Sequence, residues 1–322
     1  MQPAAAFTIA SGAKAHELAQ HAARTFLRQH PDIPFHIIDE AGFAYLARQP
    51  KYSHLGELVS LRCLAGWLLS LEYQRVIHLD ADTTILGRLD ALLPTDYAGT
   101  LLTRDISAYD MRAPDLPRIN AGVLSACGTG FWIEWTRRIY SLLLPPAATN
   151  FADQLTLREL HAAGSLDTRL LDEPAGGAYL NLSIREAPGP WSFDGSTLKK
   201  GGVPCHLYHA AGEREGTHEA PPEVREAVAV ARSQAGDAPA PLDIRTLWES
   251  RQAAFTKDVE SLLRSLPLTT LAGRFPDAYR EAGGFLRCDC PAGWDKVRRL
   301  PPDSPYTRRY LKETGAFVYI ER

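Results

Sequence analysis

Residues 76–84 read Val76-Ile77-His78-Leu79-Asp80-Ala81-Asp82-Thr83-Thr84. The run up to Leu79 is short and almost wholly apolar, as expected of a strand buried on both faces. It ends in two carboxylates spaced two residues apart. In extended chain such residues point the same way, so a strand end presents both acids side by side. Like charges held that close repel, and one keeps a proton unless a cation neutralises the pair. An oxygen-preferring divalent metal is the natural solution, and a metal there can hold a diphosphate. The plainer reading is a turn or helix cap with two solvated acids.

The flanking sequence alternates strand and helix patterns. Phe7–Ala10 is a strand candidate that runs into Ser11-Gly12. Leu18, Ala22 and Phe26 then recur on one helix face, and Pro31 marks the stop. Phe35–Ile38 is the next apolar run, closed by Asp39. Strand, helix and strand in so short a span form a βαβ unit with parallel pairing. A second helix is expected over Leu55–Leu71. Further strands are expected at Gly99–Thr103 and Ala121–Ala126, and further helices at Thr129–Leu144 and Ala152–Ala162. The pattern predicts an α/β domain around a mostly parallel sheet, with ligands bound beyond the strands' carboxyl ends. The texture changes near residue 212. Helices are expected at Glu223–Ser233 and Ile244–Leu266, and a loop-rich segment from Pro267 carries Arg298-Arg299 and Arg308-Arg309. Those arginine pairs suit a solvated face or an anionic partner. The organisation is therefore a domain over 1–212 and a mainly helical extension over 213–322, read as acceptor-side.

Composition bounds the function. The chain has 322 residues, 45% hydrophobic and 23% charged, with 35 Lys plus Arg against 38 Asp plus Glu. These are globular proportions, and a net charge of -3 gives no global pull towards nucleic acid or anionic membrane. Five cysteines are too few and too scattered for a disulfide framework. Cys288 and Cys290 form a CxC pair that reads as two thiols in a turn, or as half of a zinc site whose other half is not nearby. No apolar run approaches the roughly 20 residues of a membrane span, and the N-terminus lacks the pattern of a secretory leader. We expect a soluble, cytoplasmic protein without a transmembrane segment.

Two enzyme classes use an acidic segment of this kind. One is the GT-A glycosyltransferases. The other is the haloacid-dehalogenase-like phosphatases, whose DxDx[TV] loop Asp80–Thr84 also fits, with a nucleophilic first Asp and a general-acid second. The phosphatase loop normally opens its domain, whereas here a βαβ unit and another helix precede it. A later GDxxxD-type motif is also missing.

Along most of residues 7–212 the sequence resembles the retaining glycosyltransferases of family 8. The similar stretches, in order, are FTIAS (7–11) with the helix and strand through Asp39, then KYSHLGELVSLRCLAGWLL (51–69) and RVIHLDADTTILGRLDALL (75–93). They continue with Ile119-Asn120-Ala121-Gly122-Val123-Leu124, Phe151-Ala152-Asp153-Gln154 and His209-Ala210-Ala211-Gly212. The resemblance implies a GT-A-type, Rossmann-like sheet and metal-dependent transfer of a hexose, with retention, from a nucleotide-sugar donor such as a UDP-hexose to an unknown acceptor hydroxyl. It implies Mn²⁺ or Mg²⁺ held by Asp80, Asp82 and His209. Donor contacts would come from Ala10, Ser11, Arg62, Asp80, Ala81, Asp105, Asn120, Ala121, Gly122 and Gly212. Asp153 and Gln154 would lie beside the anomeric carbon as the catalytic pair. Plainer roles stay open: Arg62 also suits a helix salt bridge, Asn120 a turn cap, and Asp153 a helix N-cap. The chain departs from the family in two places. Ser11–Lys14 lacks the usual first-loop acid. Glu213-Arg214-Glu215 stands where a phosphate-binding lysine is expected, leaving Arg214, Lys199 or Lys200 as substitutes. Those departures also admit an inactive, sugar-nucleotide-binding relative.

Overall fold

The computed structural model describes residues 2–10, 12–39, 58–104, 116–141, 152–182, 189–210, 220–237, 239, 246–247, 249, 306–311 and 316–321. The chain divides into two compact units. The first comprises Met1–Glu40, Leu69–Phe131 and Leu157–Leu242, and the second Ala41–Leu68, Trp132–Thr156 and Asp243–Arg322.

The first unit opens with the expected βαβ, formed by β1 (Gln2–Ala10), α1 (Gly12–Gln29) and β2 (Phe35–Asp39). Ala19, Ala22, Ala23 and Phe26 of α1 are fully buried among Ala6, Phe35, Ile37 and Ile77, so small residues let the helix lie close on the sheet. Helix α2 (Leu58–Ser70) leads to β3 (Tyr73–Leu79), the decisive apolar run, and then to the short β4 (Thr83–Ile85). β5 (Thr100–Arg104) and β6 (Ile119–Cys127) follow. Helices α3 (Gly130–Ser141) and α4 (Ala152–Ala163) come before β7 (Thr168–Leu170).

The main sheet has six strands in the order β2-β1-β3-β6-β5-β7. The β1–β2, β1–β3 and β5–β7 pairings are parallel, whereas β6 runs antiparallel to both of its neighbours. The α/β class and the mostly parallel sheet are as expected. The direction of β6 is not readable from its residues. The sheet also brings a β-bulge: Leu102 pairs with Leu124 but Thr103 pairs with Asn120, leaving Ala121–Val123 out of register with β5. Bulges of this kind re-aim backbone and side chains beside functional sites.

Small strands complete the first unit. β8 (Trp191–Phe193), β9 (Leu198–Lys200) and β10 (Val203–Pro204) form one antiparallel sheet, and β11 (Leu207–His209) pairs antiparallel with β4. Helix α5 (Pro222–Gln234) buries Val224, Ala227 and Ala231 in the same unit, in contact with α1, β4, β8 and β9.

The second unit holds most of α2 and α3 and the start of α4. A Cβ on Gly66 would lie 2.2 Å from the Trp132 ring, so glycine is what lets α2 and α3 meet there. The segment expected to be loop-rich carries two strands instead, β12 (Tyr306–Leu311) and β13 (Ala316–Glu321), paired antiparallel. β13 is apolar from Ala316 to Ile320, whereas Arg308-Arg309 inside β12 obscured its strand character. Cys288, Cys290 and most of the expected helix Ile244–Leu266 lie outside the described residues. Among the described residues, no helix is long and apolar enough to cross a membrane.

Candidate metal centre

β3 delivers Asp80 to the carboxyl edge of the sheet. The Asp80 N–H donates to the Gly122 carbonyl at 2.7 Å, tying the strand end to the bulged part of β6. The chain then turns rather than continuing extended. Thr83 donates both its N–H (3.2 Å) and its Oγ1 (2.8 Å) to the Asp80 carbonyl, closing a tight turn over Ala81 and Asp82. The two carboxylates therefore converge through a turn and not through strand alternation, which corrects the reason given above for their proximity.

The same turn starts β4, which pairs with β11 in a register that sets Thr83 opposite His209. Ala210 N–H donates to the Asp82 carbonyl at 3.0 Å and holds the end of that ribbon. His209 Nε2 accordingly stands 3.2 Å from Asp82 Oδ1 and 3.6 Å from Asp80 Oδ2. One ligand atom from each of Asp80, Asp82 and His209 lies within 4.8 Å of the others. A cation with bonds of about 2 Å needs neighbouring ligands about 3 Å apart and opposite ones about 4 Å apart, so this trio spans one coordination shell. Two carboxylates and one imidazole form a donor set that fits a divalent ion. The acids are about one-third exposed and His209 is buried, leaving a solvent side open for further ligands.

Gly122 makes this convergence possible. A Cβ there would lie 2.2 Å from Asp80 Oδ2 and 2.8 Å from His209 Cε1. Asn120 Oδ1 accepts the Gly122 N–H at 2.7 Å, so its oxygen is committed to the turn-capping role. Behind Asp80, His78 Nε2 sits 3.8 Å from Oδ1 while Nδ1 donates to the Ala121 carbonyl at 3.1 Å. His78 is buried and packs on Phe7. Ala10 is buried at the end of β1, opposite Asp39. Ser11, Asp105 and Gly212 lie outside the described residues.

Arg62, Asp153 and Gln154 belong to the second unit. Arg62 and Asp153 form an ion pair at 2.9 Å, and the Asp153 Oδ1 accepts the Gln154 N–H at 2.8 Å. Trp135 Nε1 donates to the Asp153 carbonyl and to Thr156 Oγ1. Asp153 thus stands in the first turn of α4, where the helix dipole favours an anion, with a guanidinium against it.

Two of the possible substitutes for the family lysine are engaged elsewhere. Lys199 pairs with Asp194 at 3.1 Å, and Lys200 Nζ lies 4.7 Å over the Trp191 ring. Arg214 lies outside the described residues. A cavity of about 170 Å³ adjoins Asp82 and Thr84, with Leu18, Tyr208 and Val224 among its apolar walls and Arg225 and Arg232 among its polar ones. His21 also lines it, donating to or accepting from Thr84 Oγ1 at 3.0 Å. Burial, helped by Arg232 and Arg24, pushes its pKa down to about 4.

Sequence reasoning missed Asn181 and Thr103, which lie behind His209. Asn181 Oδ1 is 2.9 Å from His209 Nδ1, and Asn181 Nδ2 is 3.0 Å from Thr103 Oγ1. The available signal was a lone amide inside the apolar run Ala178–Leu182, which is expensive to bury without partners.

No protein-family model matches the chain, and no curated protein matches it. Solved structures with a similar course do exist. The galactosyltransferase LgtC, in complex with donor and acceptor sugar analogs, is 18% identical, with 75% of this chain and 99% of that chain covered at a TM-score of 0.43. The glycosyltransferase GlyE of Streptococcus pneumoniae TIGR4 is 13% identical, covering 78% and 64% at 0.44. A glycosyltransferase involved in glycosylation of the PBCV-1 major capsid is 11% identical, covering 70% and 98% at 0.42. Each of these neighbours is a glycosyltransferase. At such low identity and scores, what the site can do rests on its own residues.

Proposed function

We propose that the chain is a glycosyltransferase of GT-A type that moves a hexose from a nucleoside diphosphate sugar, with UDP as the nucleotide, to an acceptor hydroxyl. The observation that carries this reading is the meeting of Asp80, Asp82 and His209 at the carboxyl end of a mostly parallel sheet. A phosphatase using Asp80 as nucleophile has no need of His209 against both acids, so the trio favours a metal centre.

A bound Mn²⁺ or Mg²⁺ would neutralise charge developing on the departing diphosphate. The chain's own groups do the holding. Asp80 and Asp82 would supply the negative ligands, and His209 the third. Gly122 keeps clear the volume into which Asp80 Oδ2 points, and Asn120 pins the Gly122 backbone. The backbone at Ala81 and Ala121 borders the same edge and suits the ribose and sugar contacts that the family resemblance assigns. Retention of configuration, and sugar-facing roles for Asp153 and Gln154, belong to the same proposal. So does an acceptor-side role for residues 213–322.

The test is nucleotide release from a panel of nucleotide sugars, with and without Mn²⁺ and candidate acceptors. Metal-dependent release that rises with acceptor is expected. Phosphate release from simple esters without donor dependence would instead identify a phosphatase. Donor binding without turnover would identify an inactive sugar-nucleotide-binding protein.

A further inference from the structure

We infer that Asn181 is a positioning residue that fixes which nitrogen of His209 faces the two aspartates. The inference rests on the metal reading above for its use, but the geometry behind it is independent of any ion.

The polarity of the relay follows from its far end. Thr103 Oγ1 is 2.7 Å from the Val123 carbonyl, which only accepts, so the single hydroxyl proton of Thr103 is spent there. Towards Asn181, at 3.0 Å, Thr103 can then only accept, and the group it faces is the amide nitrogen. The amide oxygen therefore faces His209 Nδ1 at 2.9 Å. An amide oxygen only accepts, so His209 carries its proton on Nδ1. In the neutral ring this leaves the Nε2 lone pair directed at Asp82 and Asp80. Flipping the amide would demand two protons from Thr103 and would cost a hydrogen bond, so the assignment does not depend on telling amide oxygen from nitrogen.

The relay is built into the fold at each step. Val123 lies within the out-of-register stretch of β6, which bulges opposite Leu102 and Thr103 of β5. Leu182, the residue after Asn181, is held against β11 by two backbone bonds, its N–H to the Leu207 carbonyl at 3.2 Å and the His209 N–H to its carbonyl at 2.9 Å. Thr103, Asn181 and His209 are all buried, so no water shell competes for their polar atoms. A histidine beside two carboxylates can serve them as a hydrogen-bond donor or share a cation with them as a ligand. Nδ1–H on Asn181 directs the neutral ring to the second role.

Two measurements test this. The first is the ring-nitrogen NMR signature of His209 in the metal-free protein at alkaline pH, where the ring is neutral. A protonated Nδ1 and bare Nε2 are expected in wild type, with loss of that preference in Asn181→Leu. The second is Mn²⁺ affinity by calorimetry, for which Asn181→Leu is expected to weaken binding by about ten- to a hundredfold. A wild-type ring protonated on Nε2 would overturn the inference, whether or not the variant folds. So would a folded Asn181→Leu that binds Mn²⁺ as tightly as wild type. A wild type that binds no Mn²⁺ but shows the Nδ1–H ring supports the relay and removes the metal reading, so the two failures are separable.

Discussion

Gly122 lies where a single added methyl would come within 2.2 Å of the Asp80 carboxylate, so the main chain of β6 and the acid at the end of β3 share one volume. Gly122→Ala must therefore displace either Asp80 or the bulge. Displacements of about 1 Å at such sites cost about a hundredfold in rate. We expect metal-dependent turnover to fall by about that factor, with Mn²⁺ affinity falling alongside it. Wild-type kinetics in this variant would show that Asp80 does not need its present position.

Asp82→Asn keeps the shape of the turn and removes one charge. Asp82 is about one-third exposed, and its loss relieves repulsion with Asp80, so the metal-free protein should melt at or slightly above the wild-type temperature. Metal-dependent turnover should vanish. Calorimetric melting with and without Mn²⁺ checks both halves, because the variant should also lose the stabilisation that added metal gives wild type.

The pair of Arg62 with Asp153 joins two residues that were each expected to meet the donor. Both are largely buried, with side chains 19% and 6% exposed, so removing one partner takes a close opposite charge away from the other. Asp153→Asn should cost roughly 2–4 kcal/mol of folding stability, read by urea denaturation in the absence of metal and donor. A double-mutant cycle with Arg62→Ala should return most of that cost as coupling. A stability unchanged by Asp153→Asn would assign the carboxylate to catalysis alone.

Glu173 gives the protein a pH dependence of its own. Burial pushes its carboxyl up to about 7 from 4.5, against the pull of the Leu180 N–H that donates to Oε2 at 2.9 Å. Its Oε1 is buried without a hydrogen-bond partner. Because the folded value is the higher one, Glu173 favours the native state most below pH 4.5. That contribution is lost as pH rises from 4.5 to about 7, and the change is roughly 3 kcal/mol. Glu173→Gln should flatten stability over that window, as measured by urea midpoints at about pH 5 and pH 7.5. A slope identical to wild type would exclude Glu173 as its source.

The long periodic elements were legible because each declares itself locally. α1 repeats an apolar face, β3 ends in a short and almost wholly apolar run, and the acids that follow it stand in the open. The short strands β7 to β11 contain too few residues to show a period, yet β11 is the one that carries His209 to the site. Its candidacy came from family resemblance and not from pattern. The orientation of β6, the bulge opposite Thr103 and the pairing of Arg62 with Asp153 are set by contacts between distant segments. No window of sequence contains both partners. Asn181 was the nearest miss, a polar residue in an apolar run whose partners only the fold identifies.

The ribbon of β4 and β11 also has a consequence for biosynthesis. Asp80 and Asp82 leave the ribosome early, and His209 leaves only after the whole central sheet has been made. A nascent chain that has cleared β6 holds only two members of the Asp80, Asp82 and His209 trio. The trio is complete only when the late strand zips alongside the early one, after every strand of the main sheet has been made.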